Sequence, residues 1–234
     1  MSVGKTIPNS LIFILIGIII GAGTVYSYYG LKIPSKQKEI SQTISKETSR
    51  AVPNSENLSV EAAAYIKFKE IKTSFMPSGV PDVYGQEFGI SFNKVQDAIN
   101  KVTVLDPTYG PGGKKIALTD LTTAELERYK KIGASIACEY CCGVKTLTNE
   151  DGTAACGCDH SQMMRGLTAY LTKNHPQEFT DEEILTELTK WKRTYFPKQT
   201  LSAELAKRAK AGEPGIEQIL KEFPDFLPQM VGGC

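Results

Sequence analysis

Apolar positions fall into two different patterns along the chain. From Ser10 to Tyr29 they are nearly continuous, SLIFILIGIIIGAGTVYSYY, without one charged residue. From Val60 onward they recur at helical spacing among charged and polar neighbours. About 20 uncharged, mostly apolar residues suffice to cross a bilayer core as a helix, and such a run exceeds the ~7–15 apolar residues of a cleaved signal peptide. The first pattern therefore predicts a retained N-terminal transmembrane helix, a single-pass anchor over residues 1–33, with Tyr26, Tyr28 and Tyr29 at a membrane interface. Gly17 and Gly21 form a GxxxG pair, the spacing that lets two membrane helices approach closely, so a homodimer through that face is one expectation. Residues 34–58, PSKQKEISQTISKETSRAVPNSENL, hold few large apolar groups and cannot bury enough surface to offset ordering entropy; they read as a flexible spacer.

The second pattern predicts a mainly α domain over residues 59–234. VEAAAYIKFKEIKTSF (Val60–Phe75) has the spacing of a first helix, and Phe92–Val102 that of a short second one. Thr122 and Glu125 form a TxxE capping box flanked by the staple pair Leu121 and Leu126, which starts a helix near Thr123. Its stripe of Leu126, Tyr129, Ile132, Gly133 and Ile136 runs directly into Cys138. Ser161–Asn174 places Met163, Met164, Leu167, Tyr170 and Leu171 on one side, with Asp159 or Ser161 as cap. Thr180 and Glu183 repeat the box, with Phe179 and Ile184 as staple, for a helix that buries Ile184, Leu188, Trp191 and Tyr195 and stops before Pro197. Ser202–Ala211, closed by Gly212, and Gly215–Glu222 complete the set.

Five of the six cysteines lie within CEYCCGVKTLTNEDGTAACGCDHS, residues 138–161; the sixth is Cys234. The intervening VKTLTNEDGTAA reads as two short strand-like runs about an Asp151-Gly152 turn. The expectation is a small β-hairpin that folds Cys138, Cys141 and Cys142 onto Cys156, Cys158 and His160, in the order of a treble-clef-like Cys/His metal site. This mixture of nitrogen and sulfur donors suits zinc, the leading cofactor, with Cys138, Cys141, Cys156 and Cys158 as the preferred ligands and Cys142 and His160 next. The same thiolates are compatible with [2Fe-2S] or Cu(I), the latter with thioethers from Met163 and Met164, although methionines on an amphipathic helix read first as core. Six cysteines also permit a disulfide framework, with 15 pairings open and Cys234 returning over the flexible Gly232-Gly233 pair. A thiol enzyme is the least favoured alternative. The CxxC pair Cys138 and Cys141 follows a helix, whose C-terminal end disfavours thiolate, whereas Cys156 and Cys158 precede a helix N-terminus. Arg165, one turn inside that helix, reads as a solvated charge, and His175 as a partner of terminal helix carbonyls.

Charge narrows the partners. The formal net charge of +1 conceals six Lys/Arg against two Glu in residues 1–50, which leaves the rest mildly acidic. Nucleic acid is therefore not an expected partner, since phosphate binding draws on a basic face. The loop TYGPGGKKIAL (108–118) lacks Walker spacing, and neither an HExxH pair, a nucleophile elbow nor a dinucleotide loop occurs, so catalysis is not indicated and no catalytic residue is assigned. The short N-terminal tail and an Asn57-Leu58-Ser59 sequon favour an external domain, against the lysine count on the two sides of the apolar run. The expected role is binding or scaffolding at a membrane, with the protein partner open.

The blocks CEYCCG and ACGCDHS, the latter followed by MMRGLTAYL, together with Trp191–Pro197, resemble a group of single-pass prokaryotic proteins with CxxCC and CGCxHS blocks and a downstream WK…FFP-like segment. The resemblance covers roughly residues 80–200 and implies that the cluster is one unit; it assigns no activity. The CGC block with its following histidine is also similar to part of the PCYCGC-motif lipoproteins, but their Pro-Cys-Tyr lead and lipobox cysteine are missing here.

Overall fold

The computed structural model describes residues 60–108, 115–222 and 229–232, all within the unit Ser59–Cys234. The expected anchor (1–33), its Gly17 and Gly21, and the spacer (34–58) lie outside the described residues. Among the described residues no helix is long and apolar enough to cross a membrane.

Eight α-helices are described: α1 (Val60–Phe75), α2 (Tyr84–Phe88), α3 (Val95–Val102), α4 (Thr123–Ser135), α5 (Asp159–Asn174), α6 (Asp181–Tyr195), α7 (Pro197–Lys210) and α8 (Ile216–Glu222). Two 3-10 turns, Thr103–Leu105 and Leu118–Asp120, join them. The two TxxE signals act as read. Thr122 Oγ1 accepts from the Glu125 N–H (3.3 Å) while the Thr122 N–H donates to Glu125 (2.8 Å), and Thr180 and Glu183 repeat the exchange at α6. Each exchange satisfies two backbone donors that a helix start would otherwise leave without partners.

Other boundaries moved for local reasons. Helix α7 starts at Pro197, five residues before the expected Ser202, because proline at the first helical position gives up an N–H that has no intrahelical acceptor anyway. Helix α5 begins at Asp159, capped by Cys158 rather than by Asp159 or Ser161. Helix α2, too short for a periodic signal, ends at Gly89 in the left-handed region (φ 58°).

The core is built around α5. His160, Met163, Met164, Arg165, Leu167, Thr168 and Leu171 are buried on several faces, and α3 with its 3-10 extension, α4 and α6 pack about it. Tyr129 and Ile132 from α4 and Ile184, Leu188, Trp191 and Tyr195 from α6 complete the apolar interior. Gly166 allows the closest approach, since a Cβ there would stand 2.6 Å from the Val102 carbonyl oxygen and 3.0 Å from the Asp106 nitrogen. A second, smaller core joins α1, α7 and α8 through Phe68, Ile71, Leu201, Leu205, Ile216 and Ile219.

The β-hairpin is not formed, and with it the treble-clef-like description falls. No strand occurs among the described residues; residues 144–156 contain one isolated antiparallel bridge, Thr148 with Ala154. The turn itself is present. Asn149 N–H donates to Thr153 O (2.8 Å), Gly152 takes φ 87°, and Asp151 Oδ1 accepts from the Thr153 N–H (2.9 Å). One further bond crosses the reversal, from the Ala155 N–H to Leu147 O (3.1 Å), but the ladder goes no further: the Leu147 N–H donates to Gly133 O on α4 (2.8 Å) instead of back across, and Cys156 O accepts from Arg165 (2.8 Å). Gly133 makes that docking possible, since a Cβ there would lie 2.6 Å from Thr148 Oγ1. The loop is thus fastened to helices as well as, briefly, to itself.

Candidate metal centre

The first sulfur-bearing segment leaves α4 in an extended conformation at Ile136 and delivers Cys138 into the core, fully buried. Glu139 then takes φ 72°, the one positive φ at a non-glycine among the described residues, and the Tyr140 N–H closes a three-residue turn onto Cys138 O (2.9 Å). Such a conformation costs of order 1–3 kcal/mol outside glycine and persists where its surroundings hold it. Here the Glu139 carboxylate pairs with Lys192 of α6, Lys192 stands 5.7 Å over the Tyr140 ring, and Tyr140 packs on Phe196 (centroids 5.3 Å apart). The turn aims Cys138 inward and leaves Cys142 exposed, with Cys141 half-buried between them.

The second segment is held from below. Arg165, read from the sequence as a solvated charge, is fully buried and forks onto an equally buried Asp106 (Nη2–Oδ2 2.6 Å; Nε to both oxygens 3.1 Å). Its Nη1 donates to Cys156 O (2.8 Å) and Leu147 O (3.3 Å), which ties both arms of the reversal to α5. Cys158 caps α5, its sulfur accepting from the Ser161 N–H (3.4 Å).

The two segments meet. Cys138 Sγ lies 3.7 Å from Cys158 Sγ, both thiols free and buried. Cys142 Sγ lies 3.6 Å from Cys141 Sγ and is bonded to Cys156 in a disulfide; Cys141 is disulfide-bonded as well. Two groups could hold a metal ion: Cys138, Cys142 and Cys158, and Cys141, Cys158 and His160, the ligand atoms of each lying within 4.8 Å of one another. Cys158 belongs to both. Of the six expected ligands, five enter these groups, and Cys156 adjoins them through its bond to Cys142. Cys234 lies outside the described residues.

Electrostatics set the protons of the buried pair. The Cys158 thiol is brought down to about 6, first by the hydrogen bond that Cys138 donates to it and then by Ser161 and the backbone N–H groups at the start of α5, against the opposing effect of burial. Cys138 moves the other way, because deprotonation would forfeit that donation and burial penalises its charge. The pair is a thiol donating to a thiolate at a helix N-terminus, where negative charge is favoured.

His160 is wholly buried between Tyr195 (4.8 Å between centroids) and Phe196 (4.7 Å). Its Nε2 lies 2.7 Å from Val231 O, and a carbonyl only accepts, so Nε2 carries the hydrogen. The lone pair is then on Nδ1, a buried atom without a hydrogen-bond partner. The carbonyl comes from a strap, residues 229–232, fixed by the Val231 N–H to Tyr195 O (3.0 Å). The strap passes so near that a Cβ on Gly232 would stand 2.7 Å from His160 Nε2.

Other candidates fall elsewhere. Met163 and Met164 are core residues, and Met163 Sδ accepts from the Tyr195 hydroxyl (2.6 Å). His175 caps the C-terminus of α5 through its backbone, but its ring lies between the carboxylates of Glu178 and Glu87 instead of bonding helix carbonyls. Sequence reasoning did not find Asp106, the role of Arg165, or the Val231 carbonyl, and Gly166 and Gly232 are the sole local traces of the close packing that positions them. The arrangement is a helical domain with a Cys/His cluster at its centre. No family model, no curated protein and no solved structure matches the chain.

Proposed function

We propose that the cluster binds a metal ion, zinc first, through Cys158, Cys138 and Cys142, with Cys141 or His160 completing the coordination, and that the bound ion fixes a surface for binding or scaffolding. The observation that carries this reading is His160. Histidine ligands to metals commonly donate their second ring N–H to a carbonyl, which orients the ring and fixes its tautomer. His160 already makes that donation and keeps the other nitrogen, buried and without a hydrogen-bond partner, for a ligand. The sulfur spacing agrees: thiolates about 2.3 Å from a tetrahedral zinc lie ~3.8 Å from one another, close to the 3.7 Å between Cys138 and Cys158.

Full-length protein purified without oxygen and kept reduced tests the reading by metal analysis and absorption. One or more zinc ions per chain in a colourless protein is the expected result, reduced strongly by Cys158→Ser and by His160→Ala. Visible charge-transfer bands would replace zinc by iron and sulfur, luminescent copper adducts would replace it by Cu(I), and reduced protein that takes up none of these would end the metal reading. A disulfide-stapled interaction module is the second reading, favoured by the Cys142–Cys156 bond. That bond also supports a location where disulfides persist, outside a reducing cytosol.

A further inference from the structure

We propose that the centre is gated by the redox state of its own ligands, the Cys142–Cys156 bond withholding a donor from the ion and its reduction admitting one. The inference rests on the metal reading and adds its regulation. Cys142 serves two exclusive purposes. It is one of three sulfurs gathered with Cys138 and Cys158 at metal-binding separation, and it is bonded to Cys156. A sulfur in a disulfide is not a thiolate, and thiolate is the form that ligates. The second group is affected in the same way, since Cys141 is also disulfide-bonded. With these bonds closed, Cys138, Cys158 and His160 are the donors left to the two groups, and Cys158 alone is common to both.

Position separates the sensor from the store. Cys142 is exposed and Cys156 half-buried, whereas Cys138 and Cys158 are buried. Gly143, next to Cys142, has φ 70° and nothing within 4 Å of where a Cβ would stand, so a small thiol or disulfide has open access to that side. An external couple therefore meets the surface bond first, while the ion sits on the inner pair.

The chemistry is thiol–disulfide exchange with a small-molecule disulfide as oxidant. The Cys142 thiolate attacks one sulfur of the oxidant, forming a mixed disulfide and releasing one small thiolate. The Cys156 thiol then gives up its proton and attacks the Cys142 sulfur, closing the Cys142–Cys156 bond and releasing the second small thiolate, which takes that proton. Two electrons pass from the two cysteines to the oxidant, and the ion loses a ligand. Reduction by a dithiol runs the same steps in reverse.

The test measures Zn2+ affinity of the full-length chain against a chromophoric chelator, once after reduction by a phosphine and once after oxidation by a small-molecule disulfide. The expected result is tight binding when reduced and a loss of more than about 100-fold when oxidised, as a four-donor site loses donors outright. Cys156→Ser removes the resolving thiol, so the same oxidation is expected to stop at a mixed disulfide on Cys142, read by peptide mass as one added small thiol that the oxidised wild type does not carry there. Equal affinity in both states of the wild type, or a Cys156→Ser chain that gains no small thiol at Cys142, would overturn the gate while leaving the metal reading intact. Failure of the reduced wild type to bind Zn2+ would instead overturn the metal reading.

Discussion

Removing one partner of the buried Arg165–Asp106 pair should damage the protein more than any surface change. Asp106→Ala leaves a guanidinium with no exposure to solvent, surrounded by α5, the 3-10 turn and the cysteine loop, and without its carboxylate. Breaking such a pair by removing one partner costs about 3–5 kcal/mol, because the remaining charge stays desolvated. Domains have total stabilities of about 5–15 kcal/mol, so the loss is a large fraction of the whole. For a chain of this size it corresponds to a fall in Tm of about 6–20 °C. Urea unfolding followed by fluorescence is a direct assay, since Trp191 is the sole tryptophan and is buried in the core. The midpoint should fall at unchanged slope. The double variant Asp106→Leu with Arg165→Met, which removes both charges, should recover much of the loss. A loss below about 1 kcal/mol for Asp106→Ala, or a double variant no better than the single, would refute the claim that a desolvated charge is what the pair compensates.

Three further outcomes follow from the same geometry. Gly166→Ala should cost about 1–3 kcal/mol or prevent folding, because the new methyl meets the backbone of Val102 and Asp106, which cannot rotate away; wild-type stability in the same urea assay would contradict it. Gly232→Ala should displace the strap from His160 and lower zinc affinity by about 10–100-fold, the usual effect of losing the group that orients a ligand, with little change in unfolding midpoint of the metal-free chain. The third concerns pH in the metal-free protein. With Cys158 held at about 6 against an ordinary 9.0, the folded chain binds one proton fewer than the unfolded chain between those values, so stability should rise with pH across that window. Above it the unfolded chain has lost both protons while folded Cys138 keeps its own, and stability should fall again. Urea midpoints at several pH values, compared with Cys158→Ser, check this; identical profiles for the two proteins would count against the thiolate.

What the sequence disclosed was local. The boxes at Thr122 and Thr180 could be read because donor and acceptor stand three residues apart, and the stripe from Leu126 to Gly133 because its period is that of one helix, although Ile136, expected on the same stripe, lies past the helix end in an extended conformation. The meeting of Cys138 with Cys158 was anticipated through a hairpin; the turn at Asp151-Gly152 is real, but pairing ends after one isolated bridge, where the Leu147 N–H turns to Gly133 O and Arg165 holds Cys156 O. Arg165 pairs across 59 residues and His160 across 71, and neither partner leaves a periodic or motif signal near the residue it serves. The cysteine spacing marked where the donors lie. It said nothing about which of them would be bonded to each other.

The strap has a consequence for the order of assembly. The segments from α4 through α5 carry both sulfur arms within a short stretch of chain, so their loops can close early, whereas the carbonyl that orients His160 arrives from 71 residues further on. A folding chain thus gathers its sulfurs first and aligns its imidazole last. Metal captured during that interval would be held by thiolates alone, and the arrival of Val231 would mark the moment at which a loosely caught ion becomes a settled one.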